Sequence, residues 1–262
     1  MNQDEALSAW NAWCMLREGR ALSGEPWPVF HCRNIGDYPT MSFFYVLLPF
    51  QAIGGLSVFT TRLPAALSGV FAVLCTWHVA RALYGERAAA FASAALAIAP
   101  WSIFLGHFGT GASLGPLQAV LPLSMLLAAR LLPGRSGEDA PPVAGWALAA
   151  GLTFGIGTYG FHSLRLQLPL TLFLLVALFP SHWRRVISSP GGLRATLLLA
   201  AGFLVTFGPM AWVSFTDPDS LRRWQMTRSG PTARRSRRSH AWYSSAGRCI
   251  SCPTSSSCAE TT

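Results

Sequence analysis

The stretch TRLPAALSGVFAVLCTWHVARALYGERAAAFASAALAIAPW, residues 61–101, decides the fold. It joins an apolar segment at 61–83 to the start of another at 87–106, with Arg81, Glu86 and Arg87 gathered at the junction. A helix of roughly 20 apolar residues is what ~30 Å of hydrocarbon requires. Gly, Ala and Ser are dense throughout, which lets helix backbones approach closely inside a bilayer. Working outward, five more apolar segments lie at 41–57, 112–132, 143–160, 164–180 and 194–215. The first is short and carries Pro49. The expected fold is all-α: a polytopic transmembrane helix bundle of about seven apolar segments, preceded by an amphipathic interfacial helix.

Composition agrees. Of 262 residues, 51% are hydrophobic and 12% charged, against about a quarter charged in soluble domains. All 20 basic residues are Arg, so any phosphate contact falls to Arg or His. The net charge is +9, of which residues 231–262 carry +4. The remaining +5 fits loops obeying the positive-inside rule rather than a nucleic-acid surface. Arg81/Arg87, Arg130/Arg135 and Arg184/Arg185/Arg194 fall on one side if every segment from 61 onward spans. That side is then cytoplasmic, with 107–112, 160–165 and 216 onward outside. Simple alternation would put residues 1–40 inside, unless 41–57 fails to cross.

Ahead of the bundle, 4–20 has Ala6, Leu7, Trp10, Trp13 and Cys14 at helical spacing, although Met15 and Leu16 interrupt the pattern. Two Trp on one face suit a helix lying among lipid headgroups. Asp4 and Glu5 are expected to point away from that face, towards a cavity. Residues 1–40 read as an extramembrane loop holding this helix, 41–215 as the bundle, 216–230 as an extramembrane segment, and 231–262 as a disordered or out-of-frame tail. Of the six Cys, Cys75 reads as core, and Cys14 and Cys32 could pair in an oxidising compartment. Cys249 and Cys252 have metal-ligand spacing but no second pair, so neither metal nor cofactor is expected.

Several phrases together resemble a family: DEALSAWNAW at 4–13, GDYPTMSFFY at 36–45, TRLPAALSGV at 61–70, RALYGERAAAFASAALAIAPW at 81–101 and TYGFHSLRLQLPL at 158–170. They resemble the GT-C membrane glycosyltransferases, within them the protein O-mannosyltransferase and aminoarabinose-transferase group. The resemblance implies a transferase of the inner (plasma) membrane, with its active face extracytoplasmic. The donor would be a polyprenyl-phosphate-linked sugar, and the acceptor a protein, lipid or glycan. It implies Asp4, the first acid of the family's acidic pair, as the catalytic carboxylate that takes the acceptor's proton, with Glu5 beside it. Arg165 is the first candidate for the donor phosphate, followed by His162, Tyr159, Arg62 and Arg33, with Asp37 and Tyr38 in the adjoining loop. Relatives carry a basic residue and Pro-Pro where Pro39, Thr40 and Met41 stand here. They also have a helix ahead of the acidic pair and more helices after the bundle, which predicts that this chain is part of a longer transferase gene.

Blander readings stand beside these. An acidic pair at a helix start can simply suit the helix dipole. Arg165 can snorkel to the interface, Arg62 can anchor a helix end, and His78 and His107 can be structural. The alternatives to a transferase are a fragment without activity, and a non-catalytic polytopic protein serving as transporter, lipid binder or structural partner. Ion-coupled transport fits poorly, because 61–106 and 112–132 hold few ionisable residues in mid-segment.

Overall fold

The computed structural model describes residues 2–30, 41–132, 141–161 and 163–216. Asp37, Tyr38, Arg33, Cys32, Arg135, His162 and the segments 217–230 and 231–262 lie outside the described residues. The described chain is helical throughout: α1 Gln3–Glu18, α2 Ser42–Gly54, α3 Val58–Tyr84, α4 Glu86–Ile98, α5 Pro100–His107, a 3₁₀ turn at Gly111–Leu114, α6 Gly115–Ala128, α7 Ala144–Gly157, α8 Leu164–Leu178, α9 Pro180–Ser188 and α10 Gly192–Thr216.

Three helical stretches among the described residues are long and apolar enough to cross a membrane: Val58–Tyr84, Gly111–Ala128 and Gly192–Thr216. Two bent pairs, α4 with α5 and α8 with α9, bring the number to at most five. The expected helical bundle is present, but a count of about seven spans is not confirmed among the described residues. Segment 41–57 forms only the 13 residues of α2, about 20 Å at 1.5 Å per residue, well short of the hydrocarbon thickness. Segment 143–160 forms the 14-residue α7. Prolines set the bends. Pro100 opens α5 at 55° to α4, and Pro180 opens α9 at 84° to α8. A proline suits the first position of a helix but cannot donate in the middle of one.

Among the described residues the bundle has two large cores, with a small third cluster at Cys14 and Leu22. The larger joins α6 to α10 around Leu126, Ala147, Phe154, Leu168, Trp183 and Leu199. Within it α7 lies directly on α10, because Gly151 and Gly155 present no side chain to Leu199 and Thr206. The smaller core sits under the N-terminal helix: Ala12 and Met15 meet Phe43, Phe44 and Leu47, with Ala65 and Leu114 beneath. Large apolar side chains cover the outer surface of the long helices, among them Phe59, Phe71 and Leu74 on α3, and Leu197, Leu204, Val205 and Trp212 on α10. A bilayer is the solvent for such a surface.

In α1 the buried side differs from the expected one. Glu5, Ser8, Ala9, Asn11, Ala12, Cys14 and Met15 are buried, while Trp10 and Trp13 are only half covered. Small residues admit α2 against this helix, and Met15, which breaks the Trp periodicity, is wholly buried. Gln51 of α2 donates to the Ala9 carbonyl at 3.1 Å, and Tyr45 donates to the Pro28 carbonyl at 3.1 Å. Beyond α2, the Thr60 hydroxyl of α3 donates to the Gly55 carbonyl at 2.8 Å. Both ends of α2 therefore stay beside α1 and the loop after it. Cys14 is disulfide-bonded and Cys75 is free; Cys32, the partner the sequence suggests, lies outside the described residues.

Candidate active site

The first turn of α1 is built to hold two carboxylates in different surroundings. The Asn2 side chain caps the helix, accepting from the Gln3 amide at 2.6 Å, while Glu5 turns back to accept from the Asn2 amide at 3.4 Å. This reciprocal cap satisfies two N–H groups that a helix start otherwise leaves open. It also fixes the direction of Glu5, inward. Asp4, one position earlier, is exposed, and its carboxylate makes no hydrogen bond or ion pair with another described residue.

Glu5 is fully buried, a costly place for a charge unless partners compensate. Three groups do. Arg62, in the first turns of α3, donates through Nε to Oε1 at 2.6 Å and through Nη2 to Oε2 at 2.9 Å. This fork-on-fork pairing is among the stronger protein hydrogen bonds. The Gly109 amide donates to Oε1 at 3.4 Å, and the Asn2 amide is the third group. The Arg62 guanidinium holds the Glu5 carboxyl below the ordinary carboxylate range, against the upward push of burial, and the Gly109 amide assists. The outer part of Arg62 remains accessible, its side chain 40% exposed. Asp4 and Glu5 were expected to share one orientation; they are instead divided into an exposed carboxylate and a buried, paired one.

Gly109 carries a contribution that sequence reading missed. Its backbone runs so close to α3 that an added Cβ would lie 2.8 Å from both the Thr61 carbonyl oxygen and Thr61 Cγ2. The surrounding loop is fastened to the same helix: Ser68 donates to the Ser113 carbonyl at 3.0 Å, and Ser113 in turn donates to the Phe108 carbonyl. The signal for this loop was the run of Gly, Thr and Ser at 109–115, which marks a tight backbone approach.

Of the other expected site residues, Tyr159 and Arg165 lie at the turn between α7 and α8. Tyr159 donates its hydroxyl to the Thr206 carbonyl of α10 at 2.8 Å, and Phe30 stacks on its ring at 5.8 Å between centroids. The phenol proton is thus committed to backbone, and the ring anchors the loop that follows α1. Arg165 stands in the first turn of α8, with its Nε buried and bonded to nothing among the described residues. Among the described residues, neither Tyr159 nor Arg165 bonds directly to the Glu5–Arg62 pair; Phe30, in the loop after α1, stacks on Tyr159. No group of three or more His, Cys, Asp or Glu able to hold a metal occurs among the described residues.

Comparison with known proteins adds the following. Residues 37–212 match the family described as dolichyl-phosphate-mannose-protein mannosyltransferase. No curated protein sequence matches the chain. Two solved structures share its fold. One is ArnT from Cupriavidus metallidurans bound to undecaprenyl phosphate, at a TM-score of 0.59 and 24% identity over 84% of this chain and 38% of that one. The other is the apo state of the same protein, at a TM-score of 0.58 and 24% identity over 84% and 39%. The chain spans well under half the length of those structures, and at this identity the likeness is one of fold.

Proposed function

The chain belongs to the dolichyl-phosphate-mannose-protein mannosyltransferase family, and on that premise we propose that it transfers a sugar from a polyprenyl-phosphate donor to an extracytoplasmic acceptor. The acceptor's hydroxyl oxygen forms a bond to the anomeric carbon while the bond from that carbon to the phosphate oxygen breaks. The electron pair of the broken bond leaves with the lipid phosphate, and the hydroxyl proton goes to a carboxylate. A base placed in this way contributes roughly 10²–10⁴-fold.

The division between the two carboxylates supports Asp4 as that base. A buried carboxylate already paired with arginine and held below its ordinary range is a poor proton acceptor, so Glu5 is the positioning residue. It fixes the start of α1 against α3 and leaves Asp4 exposed at the same turn. The leaving phosphate needs donors. Arg165, with its unpartnered Nε, and the accessible outer part of Arg62 are the groups we assign to it. The end that holds Glu5 is read as extracytoplasmic, which the disulfide at Cys14 supports, since such bonds persist in oxidising compartments.

The test is Asp4→Asn in the full chain reconstituted in vesicles with an undecaprenyl-phosphate-linked sugar. Turnover should fall by roughly 10²–10⁴ with donor binding retained. Unchanged turnover would remove Asp4 from the chemistry.

A further inference from the structure

At the end of the bundle opposite Glu5, the α8 axis breaks and α9 leaves it at 84°. The nine residues of α9 have two distinct sides. Trp183 and Val186 are buried in the larger core, and the Trp183 indole donates to the Leu175 carbonyl at 3.1 Å. His182 Nε2 lies 3.1 Å from the Leu131 carbonyl, which ties α9 to the end of α6 beside exposed Arg130. The outer side carries Arg184 and Arg185, both exposed. The turn into α10 is tight: Gly191 takes φ 79°, and Gly192 packs against the Val186 carbonyl where a Cβ would not fit. Exposed Arg194 therefore begins α10 directly beside α9.

None of Arg184, Arg185 and Arg194 forms an ion pair among the described residues. Residues 141–216 contain no Asp or Glu. Glu86, near the same end, is already paired with Arg81 at 3.0 Å, and Glu138 and Asp139 lie outside the described residues. Near the arginines in the chain, Leu178, Phe179, Ile187 and Leu193 are exposed apolar side chains, 68%, 44%, 43% and 54% accessible. A purely aqueous surface does not interleave such residues with cations. A short helix lying flat at the membrane surface does, with apolar side chains in the acyl region and guanidinium groups at the phosphates.

We propose that α9 and the first turn of α10 form a binding site for the headgroups of anionic phospholipids, with Arg184, Arg185 and Arg194 as the phosphate ligands. The site is independent of the transfer reaction. Arginine suits it because its planar fork engages phosphate oxygens in pairs. The bend at Phe179–Pro180 lays the helix across the bundle end, where headgroups of the inner leaflet lie. Such a contact would hold α9 down and fix the depth of the bundle in the bilayer.

The test titrates the purified full chain in neutral micelles with short-chain phosphatidylglycerol or phosphatidylcholine and reads bound lipid by native mass spectrometry. Phosphatidylglycerol should be preferred, and the preference should weaken with salt. Arg184→Gln with Arg185→Gln should weaken it about thirtyfold, at roughly fivefold per cation. Arg17→Gln with Arg20→Gln, on the far end of the molecule, should leave it unchanged. Equal binding of the two lipids would overturn the proposal without any variant. So would an equal loss in both pairs of variants, which would mean general charge attraction. Full displacement by millimolar inorganic phosphate would point instead to a soluble anion.

Discussion

At the scale of single residues, the chain separates two neighbouring carboxylates by burying one of them. The Glu5 carboxyl is held below its ordinary range, chiefly by Arg62. Its ionised form therefore stabilises the fold at pH values above the unfolded value of about 4.3, and this contribution is lost as pH falls through the lowered folded value. Thermal unfolding of wild type and Glu5→Gln, compared from pH 7 down to about pH 3, should show the variant less stable at neutral pH and the two curves converging in acid. A constant offset at every pH would mean that folding does not shift the Glu5 carboxyl from its unfolded value. The candidate residues Asp4, Glu5 and Arg62 were legible in the sequence, but their arrangement was not. The partner of Glu5 lies 57 positions along the chain, and the buried side of α1 is chosen by Ser8, Ala9 and Ala12, not by its tryptophans. Periodicity identifies an apolar stripe, whereas close packing of helices in a membrane selects small residues.

At the scale of elements, the contact between α7 and α10 positions the turn that carries Tyr159. Gly155 faces Thr206 directly, and one turn later Tyr159 donates to the carbonyl of that same residue. Gly155→Ala should destabilise the bundle by about 1–3 kcal/mol, the usual cost of overpacking, as read from unfolding in mixed micelles. Gly145→Ala is the control: nothing lies within 4 Å of a Cβ there, and alanine favours a helix interior by up to about 1 kcal/mol. That control should be neutral or stabilising, and equal losses at both positions would sink the close-packing argument. The density of Gly, Ala and Ser in 143–160 signalled close contact but could not name its partner. The bends were hidden for a different reason. Segments 87–106 and 164–180 read as continuous apolar runs, and Pro100 and Pro180 are compatible with either a kink or a helix start. α9 escaped notice because its arginines look like loop residues until Trp183 and Val186 are seen to be buried.

At the scale of the whole molecule, α2 resolves a conflict of orientation. If every apolar segment crossed, the acidic turn of α1 would lie on the same side as Arg81, Arg87, Arg130, Arg184, Arg185 and Arg194. The short α2 runs back along α1, with Gln51 held to Ala9 and Tyr45 to Pro28, and we propose that 41–57 contributes no crossing while α7 does. Residues 2–30 then share an end with Arg62 and Gly109, both bonded to Glu5, and the arginine-rich turns gather at the other. On the orientation we propose, the positive-inside rule puts that other end in the cytoplasm. Single cysteines test this when the remaining free thiols are replaced by serine and a membrane-impermeant maleimide is added to spheroplasts. Gln3→Cys and Ser188→Cys suit the purpose because both side chains are exposed. Gln3→Cys should label in intact spheroplasts, and Ser188→Cys only after the membrane is opened. The reverse pattern would place Asp4 in the cytoplasm, away from any extracytoplasmic acceptor, and labelling of both in intact spheroplasts would mean that α2 and the bundle do not divide the two ends as the fold requires.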